Sequence, residues 1–307
     1  MLARLQQVTT LGLLAVATAW AIVRALAGDI LVALGGAAVI VLGYAAVLAV
    51  EMLLSRWVNR REATLPSPAM HAIAWCGECV CAARTFFWNQ PFRSFAIPDR
   101  SETAQPARTG VVFVHGFVCN RGLWNPWLRR FDLLGVPFVA VNLEPVFGGI
   151  GCYTATIDAA VRRLTEATGR PPIVVAHSMG GLAVRAWLAE YGASARVQHV
   201  VTLGTPHRGT VLARFAWAPN TIQMRRDSDW LRALASGENE RLYRSFTCYF
   251  SGCDNIVMPA SSATLPGADN RHVEGVGHVQ LASDERILRD IVLRVAPGSR
   301  LAAPTPG

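Results

Sequence analysis

Three residue types that together can cleave an acyl bond occur in this chain in a fixed order, each at the end of a short apolar run. Ser178 lies in Val175-Ala-His-Ser-Met-Gly-Gly181, after the β-branched run Ile173–Ala176 and before the helix-like Leu182-Ala-Val-Arg-Ala-Trp187. A strand that turns directly into a helix at a serine exposes the hydroxyl at a helix N-terminus, where free backbone N–H groups favour negative charge. Such a turn needs small residues two positions either side, because strand and helix pass close together. Ala176 and Gly180 supply them. This is the nucleophile turn G-x-S-x-G with alanine at its first position. A five-residue match alone is common, and the strand before it and the helix after it give it weight.

A second run, Val111–Val114, passes straight into His115-Gly116-Phe117. Acyl transfer needs two N–H donors aimed at the tetrahedral oxyanion, and losing one costs about 2.7–4 kcal/mol in known cases. The backbone N–H groups of Phe117 and Met179 are the natural pair. His115, Gly116 and His177 are expected to support the nucleophile turn and the oxyanion loop. The run Ser245–Ser251 leads to Asp254, and Asn270–Val273 leads to Gly275-Val-Gly-His278. His278 would take the proton from Ser178, while Asp254 would fix the imidazole tautomer and stabilise the imidazolium. His71, His199, His207 and His272 are other possible bases, and Asp227, Asp229 and Asp269 other possible acids. Only His278 follows the last strand on a glycine-flanked loop with an amphipathic stretch behind it.

Positioning these residues requires strands and helices in alternation. Val111–Val114, Phe138–Leu143, Ile173–Ala176, Val197–Leu203, Ser245–Ser251 and Asn270–Val273 are strand candidates, most of them β-branched or aromatic. Between them Trp124–Leu134, Cys152–Ala167, Met179–Tyr191 and Leu281–Val295 carry helical spacing; Ile157, Val161 and Leu164 recur at four and three. This alternation predicts an α/β domain with a mostly parallel, doubly wound sheet covered on both faces.

Composition adds a second unit. Of 307 residues 52% are hydrophobic and 16% charged, with mean hydropathy +0.30, which excludes a disordered or fibrous chain. The formal charge is +8, but no block of consecutive basic residues stands out, so nucleic acid is not an expected partner. No charge occurs from Leu5 to Val23 or from Ile30 to Val50. About 20 apolar residues suffice to cross a hydrocarbon core of roughly 30 Å, so each run is long enough to span. Arg24, Gly28 and Asp29 mark a short connection, which predicts an antiparallel hairpin of two transmembrane helices. A cleaved signal peptide would be followed by polar mature chain, whereas a second apolar run follows here. Arg4, Arg56, Arg60 and Arg61 make the outer ends the more basic, placing both on the cytoplasmic side of what would be a bacterial inner membrane.

Seven cysteines without regular spacing suit reduced thiols rather than a disulfide framework. Cys76, Cys79 and Cys81 are close together, but a structural zinc needs four ligands and no neighbouring pair completes the set, so no metal is expected. Thr64–Pro68 and Gln105–Gly110 are turn-rich breaks around a helix candidate, Ala69–Trp88, whose aromatic end suits a membrane interface or packing on the domain equally. The expected organisation is an anchor over 1–57, a linker and membrane-proximal segment over 58–109, a catalytic domain over 110–297 and a tail over 298–307.

Taken together, Val112-Phe-Val-His-Gly-Phe117, Val175–Gly181, Leu203-Gly-Thr-Pro-His-Arg-Gly-Thr210, Asp254-Asn-Ile-Val257 and Gly275–His278 resemble the α/β-hydrolase superfamily, in particular its bacterial lipase and esterase branch. The chain order Ser, Asp, His is that of its triad. The resemblance covers about Gly110 to Val295 and implies an α/β-hydrolase fold, an acyl-enzyme on Ser178, no cofactor, and a cap over the site at about 205–244. It also implies a lipid or small-molecule ester as substrate. The N-terminal hairpin departs from secreted lipases. The same triad serves acyltransferases and thioesterases, and a non-catalytic membrane-anchored binding protein could retain it. Neither the leaving group nor the oligomeric state is legible here.

Overall fold

Two apolar helices precede everything else: α1 (Leu2–Leu26) and α2 (Ile30–Val58), joined by a tight turn in which Gly28 takes a left-handed φ of 85°. Both are long and apolar enough to cross a membrane by length and composition. Helices of a soluble core would be buried, yet Leu31, Val39 and Val50 are 86%, 72% and 65% exposed. Trp20 Nε1 of α1 donates to the Val32 carbonyl of α2 at 3.1 Å, and Arg24 pairs with Asp29 across the turn. The computed structural model describes residues 1–101, 108–238 and 240–296. The expected tail over 298–307 and the 105–107 part of the second turn-rich break lie outside them.

The expected linker over 58–109 is largely helical where it is described. Ser67 caps α3 (Pro68–Arg84) by accepting from Met70 N, with Pro68 at the first helical position. A π-helical turn, Thr85–Asn89, continues it into the short α4 (Gln90–Phe92). The helix candidate Ala69–Trp88 therefore corresponds to α3 and the π turn. Met52, Ala74 and Cys253 form a small apolar cluster that ties α2, α3 and the following domain together.

From Val111 the chain alternates β1 (Val111–Val114), α5 (Asn125–Leu133), β2 (Phe138–Ala140), α6 (Thr154–Thr168), β3 (Ile173–His177), α7 (Met179–Tyr191) and β4 (His199–Leu203). Three short helices follow, α8 (Pro219–Gln223), α9 (Asp229–Ser236) and α10 (Glu240–Tyr243), and then β5 (Phe246–Phe250), β6 (Asp269–His272) and α11 (Glu285–Val295). All six strands are parallel, in the order β2-β1-β3-β4-β5-β6. Side chains alternate between faces. Val112 and Val114 join α6 and α7, through Ile157, Leu164 and Trp187, in one core. Val111 and Phe113 join α5 and α11, through Trp127, Phe131 and Ile291, in the other. The chain leaves β1 for β2 on one side and returns to β3 on the other. Loops after β1 and β3 therefore diverge at the carboxyl edge and open the crevice where ligands bind in such sheets.

Candidate active site

Ser178 is in that crevice, between β3 and α7, with φ 54° and ψ −129°. A non-glycine residue with positive φ is strained by about 1–3 kcal/mol and persists where its surroundings hold it. Here Ser178 N donates to the Leu203 carbonyl at 2.9 Å and the Ser178 carbonyl accepts from Gly181 N at 3.0 Å. Gly180 shows why small residues are needed: a Cβ there would fall 2.5 Å from the His115 carbonyl oxygen and 2.8 Å from that of Val114. The turn thus sits against the end of β1, which brings Met179 N–H and the Gly116-Phe117 loop to the same place. His115 braces that loop. Its Nε2 accepts from Leu143 N at 2.9 Å while its Nδ1 is 2.9 Å from the Gly116 carbonyl, so Nδ1 carries the proton. Burial lowers its pKa to about 4, against the opposing Gly116 hydrogen bond, and it is neutral near pH 7. Val118, next in the loop, also has positive φ, 53°.

His278 Nδ1 lies 2.9 Å from Asp254 Oδ2. The other carboxylate oxygen, Oδ1, accepts from Ile256 N and Val257 N at 2.8 Å each. Both side chains are almost fully buried, at 5% and 2% exposure. Burial by itself pushes the His278 imidazolium down, but the charge and hydrogen bond of Asp254, with Glu78 and Glu51 farther off, more than offset it and hold the pKa above the ordinary value. His177 packs against His278 with ring centroids 4.6 Å apart and planes tilted by 49°, and its Nε2 is 3.0 Å from the His278 carbonyl. Burial, then the neighbouring His278, keep its pKa well below the ordinary histidine value.

Ser178, His177, His278 and Phe117 line one cavity of about 250 Å³. The remaining candidates lie elsewhere. His207 meets Thr202, His199 meets Thr247, His272 accepts from Gly252 N, and His71 contacts Arg56. Asp229 and Asp269 pair with Arg232 and Arg271, and Asp227 supplies its carbonyl to Arg232. Among the described residues no group of three or more His, Cys, Asp or Glu could hold a metal ion. Of the three cysteines on α3, Cys76 is exposed and Cys79 half-buried, while Cys81 faces the domain, its Sγ 3.4 Å from Ser283 Oγ.

The cavity departs from expectation in its wall. Its described lining takes nothing from 205–244; Leu48 and Glu51 of α2 and Glu78, Ala82 and Phe86 of α3 and the π turn close it instead. Glu51, Glu78 and Asn255 are site residues that motif reading misses. Asn255 stands inside a quoted motif without a role, and Glu51 is visible as the acid that ends the second apolar run.

The all-parallel sheet with helices on both faces is the α/β-hydrolase fold. Residues 110–247 match the family model described as the α/β hydrolase fold. Among solved structures, the mature form of a Bacillus licheniformis lipase superposes with TM-score 0.55 at 20% identity, covering 64% of this chain and 95% of that one. Aspergillus fumigatus lipase B gives 0.51 at 20% identity, over 57% and 47%. At that identity the likeness is one of fold. No curated protein matches the chain in sequence.

Proposed function

We propose that this chain is a membrane-anchored serine hydrolase that cleaves carboxylic esters of apolar acyl chains. The observation that carries the reading is that Ser178, in its strained strand-to-helix turn, shares one cavity with His278, which is bonded to Asp254 behind it, and that α2 and α3 wall this cavity. Residues 1–57 form the anchor, the flanking arginines orient it with the domain in the bacterial cytoplasm, and residues 110–297 form the catalytic domain.

In the first half-reaction His278 Nε2 takes the Ser178 hydroxyl proton as Oγ attacks the ester carbonyl carbon. Asp254 holds Nδ1–H and stabilises the imidazolium. The N–H groups of Phe117 and Met179 receive the oxyanion. Collapse expels the alcohol, which takes the proton from His278, and leaves an acyl-Ser178 ester. Water, deprotonated by His278, then hydrolyses it. No metal or organic cofactor enters these steps. The partners are therefore the lipid or small-molecule ester and the membrane.

The test is the full-length chain in detergent, assayed on p-nitrophenyl esters of increasing chain length beside Ser178→Ala. Wild-type turnover that rises with chain length, its loss in the variant, and fluorophosphonate labelling of Ser178 are expected. Turnover retained by Ser178→Ala would refute the assignment, and labelling without hydrolysis would point to an acyltransferase that needs a specific acceptor.

A further inference from the structure

The second N-terminal helix carries few polar residues, and three of them, Glu51, Ser55 and Asn59, stand at i, i+4 and i+8. That spacing places them on one face of α2. Ser55 and Asn59 are fully buried. Each of the three bonds to the loop that carries Asp254. Glu51 Oε2 accepts from Asn255 Nδ2 at 2.8 Å, and Asn255 Oδ1 in turn accepts from His278 N at 3.1 Å. Ser55 Oγ donates to the Asp254 carbonyl at 2.6 Å. Asn59 Oδ1 accepts from Ala260 N at 2.9 Å, and its Nδ2 lies 3.2 Å from Ser55 Oγ and 3.4 Å from the Gly252 carbonyl.

Taken with the reading of the site above, on which this rests, we infer that α2 is a positioning element of the catalytic machinery and not only a tether: Glu51, through Asn255, sets the His278 main chain, and Ser55 sets Asp254. A tether needs no polar residue aimed at the domain, and polar groups on an apolar helix are costly unless paired. Here their partners are main-chain groups and the Asn255 amide of the loop that carries Asp254, and Asn255 passes the contact on to the His278 main chain. Helix α3 holds the other loop, the one that carries His278. Glu78 accepts from Val279 N at 2.8 Å and from Gln280 N at 3.0 Å. A Cβ at Gly277 would lie 2.5 Å from Glu78 Oε2, so the loop main chain passes directly against that carboxylate.

The test compares the full-length protein in detergent with Glu51→Ala, Glu51→Gln, Asn255→Asp and Ser178→Ala on a short, water-soluble p-nitrophenyl ester, which needs no membrane to reach the site. Asn255→Asp keeps the acceptor for His278 N, removes the donor to Glu51 and sets a second carboxylate against it, a repulsion that the Glu51→Ala background relieves. A displacement on the order of 1 Å at a catalytic group costs about a hundredfold. Glu51→Ala and Asn255→Asp should therefore lower kcat roughly 10- to 100-fold while KM moves less than about threefold. Glu51→Gln, whose amide oxygen still accepts, should recover most of the loss. The Glu51→Ala, Asn255→Asp double variant should be no worse than either alone, because both break one link. A kcat within twofold of wild type in both Glu51→Ala and Asn255→Asp, with Ser178→Ala inactive, overturns the inference and leaves α2 a tether. An effect confined to KM, or no recovery in Glu51→Gln, overturns it also. Turnover surviving in Ser178→Ala would instead overturn the site assignment, and this inference with it.

Discussion

Replacing Asp254 by asparagine isolates what the acid does, because the two side chains have the same shape and the structure dictates how the amide must sit. Asp254 Oδ1 is fixed between Ile256 N–H and Val257 N–H at 2.8 Å each, a position only an oxygen can fill. The amide NH2 introduced by Asp254→Asn must then take the place of Oδ2, 2.9 Å from His278 Nδ1. Nδ1 becomes the acceptor, the proton moves to Nε2, and the base presents a proton to Ser178 where it needs a lone pair. A wrong-tautomer histidine in another serine hydrolase costs about 10⁴ in kcat. Four powers of ten at 1.36 kcal/mol each is about 5.4 kcal/mol. The pH dependence changes as well. In the wild type activity needs neutral His278 and rises as pH passes its raised pKa, so the acid limb lies above the ordinary histidine value. In Asp254→Asn the carboxylate that offsets burial is gone, and the limb should move below about pH 6.5. Stability should change little, since both main-chain N–H groups keep an acceptor. The assay is kcat of the full-length chain on p-nitrophenyl butyrate from pH 5 to 9, with a thermal melt as control. A variant that keeps more than a tenth of wild-type kcat, or the same acid limb, refutes the assignment of Asp254.

Gly180→Ala should push the His115-Gly116-Phe117 loop off the Ser178 turn, given the 2.5 Å approach to the His115 carbonyl, and lower kcat roughly 10- to 100-fold with KM little changed; unchanged kcat would show that the turn tolerates the methyl. Glu78→Ala leaves Val279 N and Gln280 N without acceptors, at about 1–3 kcal/mol each, and should lower the melting temperature measurably. Burial, against those two hydrogen bonds, pushes Glu78 itself up to about 7. The folded state therefore holds a proton that the unfolded state releases near pH 4.5, so this group's stabilisation is present below that pH and is lost as pH rises through about 7. Wild-type melting temperature should fall from pH 5 to 8 more than that of Glu78→Gln, and equal slopes would contradict the shift. The described cavity lining holds Glu51 and Glu78 and no Lys or Arg. Above the raised pKa of Glu78, at pH 8, an ester ending in a carboxylate should thus be cleaved roughly tenfold or more slowly than a neutral ester of equal length, read as kcat/KM for the pair.

The sheet is legible in the sequence because most of its strands are short, continuous apolar runs rich in β-branched and aromatic residues, buried on both faces, and the helices between them repeat at four and three. Met179–Tyr191 is legible to the residue, since the Ser178 turn marks its start and Gly192, at φ 55°, its end. The strand candidate Phe138–Leu143 is too long: pairing stops at Ala140, and Val141 to Leu143 bend toward His115 Nε2. In the Leu281–Val295 stretch the first turn is a 3-10 segment, and the α-helix begins only where Asp284 caps it by accepting from Arg286 N. Ser178, Asp254 and His278 stand out because strand-end motifs announce them in local sequence. Glu51, Ser55 and Asn59 do not, because nothing in the pattern of an apolar helix says which of its faces meets a domain about 200 residues downstream.

That face explains why the cap expected over 205–244 is not what encloses Ser178. The same hairpin reaches the oxyanion side by its other end, where Gln6 Nε2 of α1 donates to Gln90 Oε1 at 2.9 Å and lies 3.4 Å from the Val118 carbonyl. The start of α1 thus rests beside the oxyanion loop, and the end of α2 rests on the Asp254 and His278 loops. Acyl transfer depends on the spacing between these two halves, because the oxyanion donors must hold the carbonyl oxygen while His278 reaches Ser178 Oγ. On the function proposed above, the hairpin is the element that would set that spacing from outside the sheet. The consequence for any soluble fragment that begins after α2 is specific. It keeps the sheet, the nucleophile turn and the triad residues, but it loses the acceptor for Asn255 Nδ2, the Ser55 donor to Asp254 and one wall of the cavity.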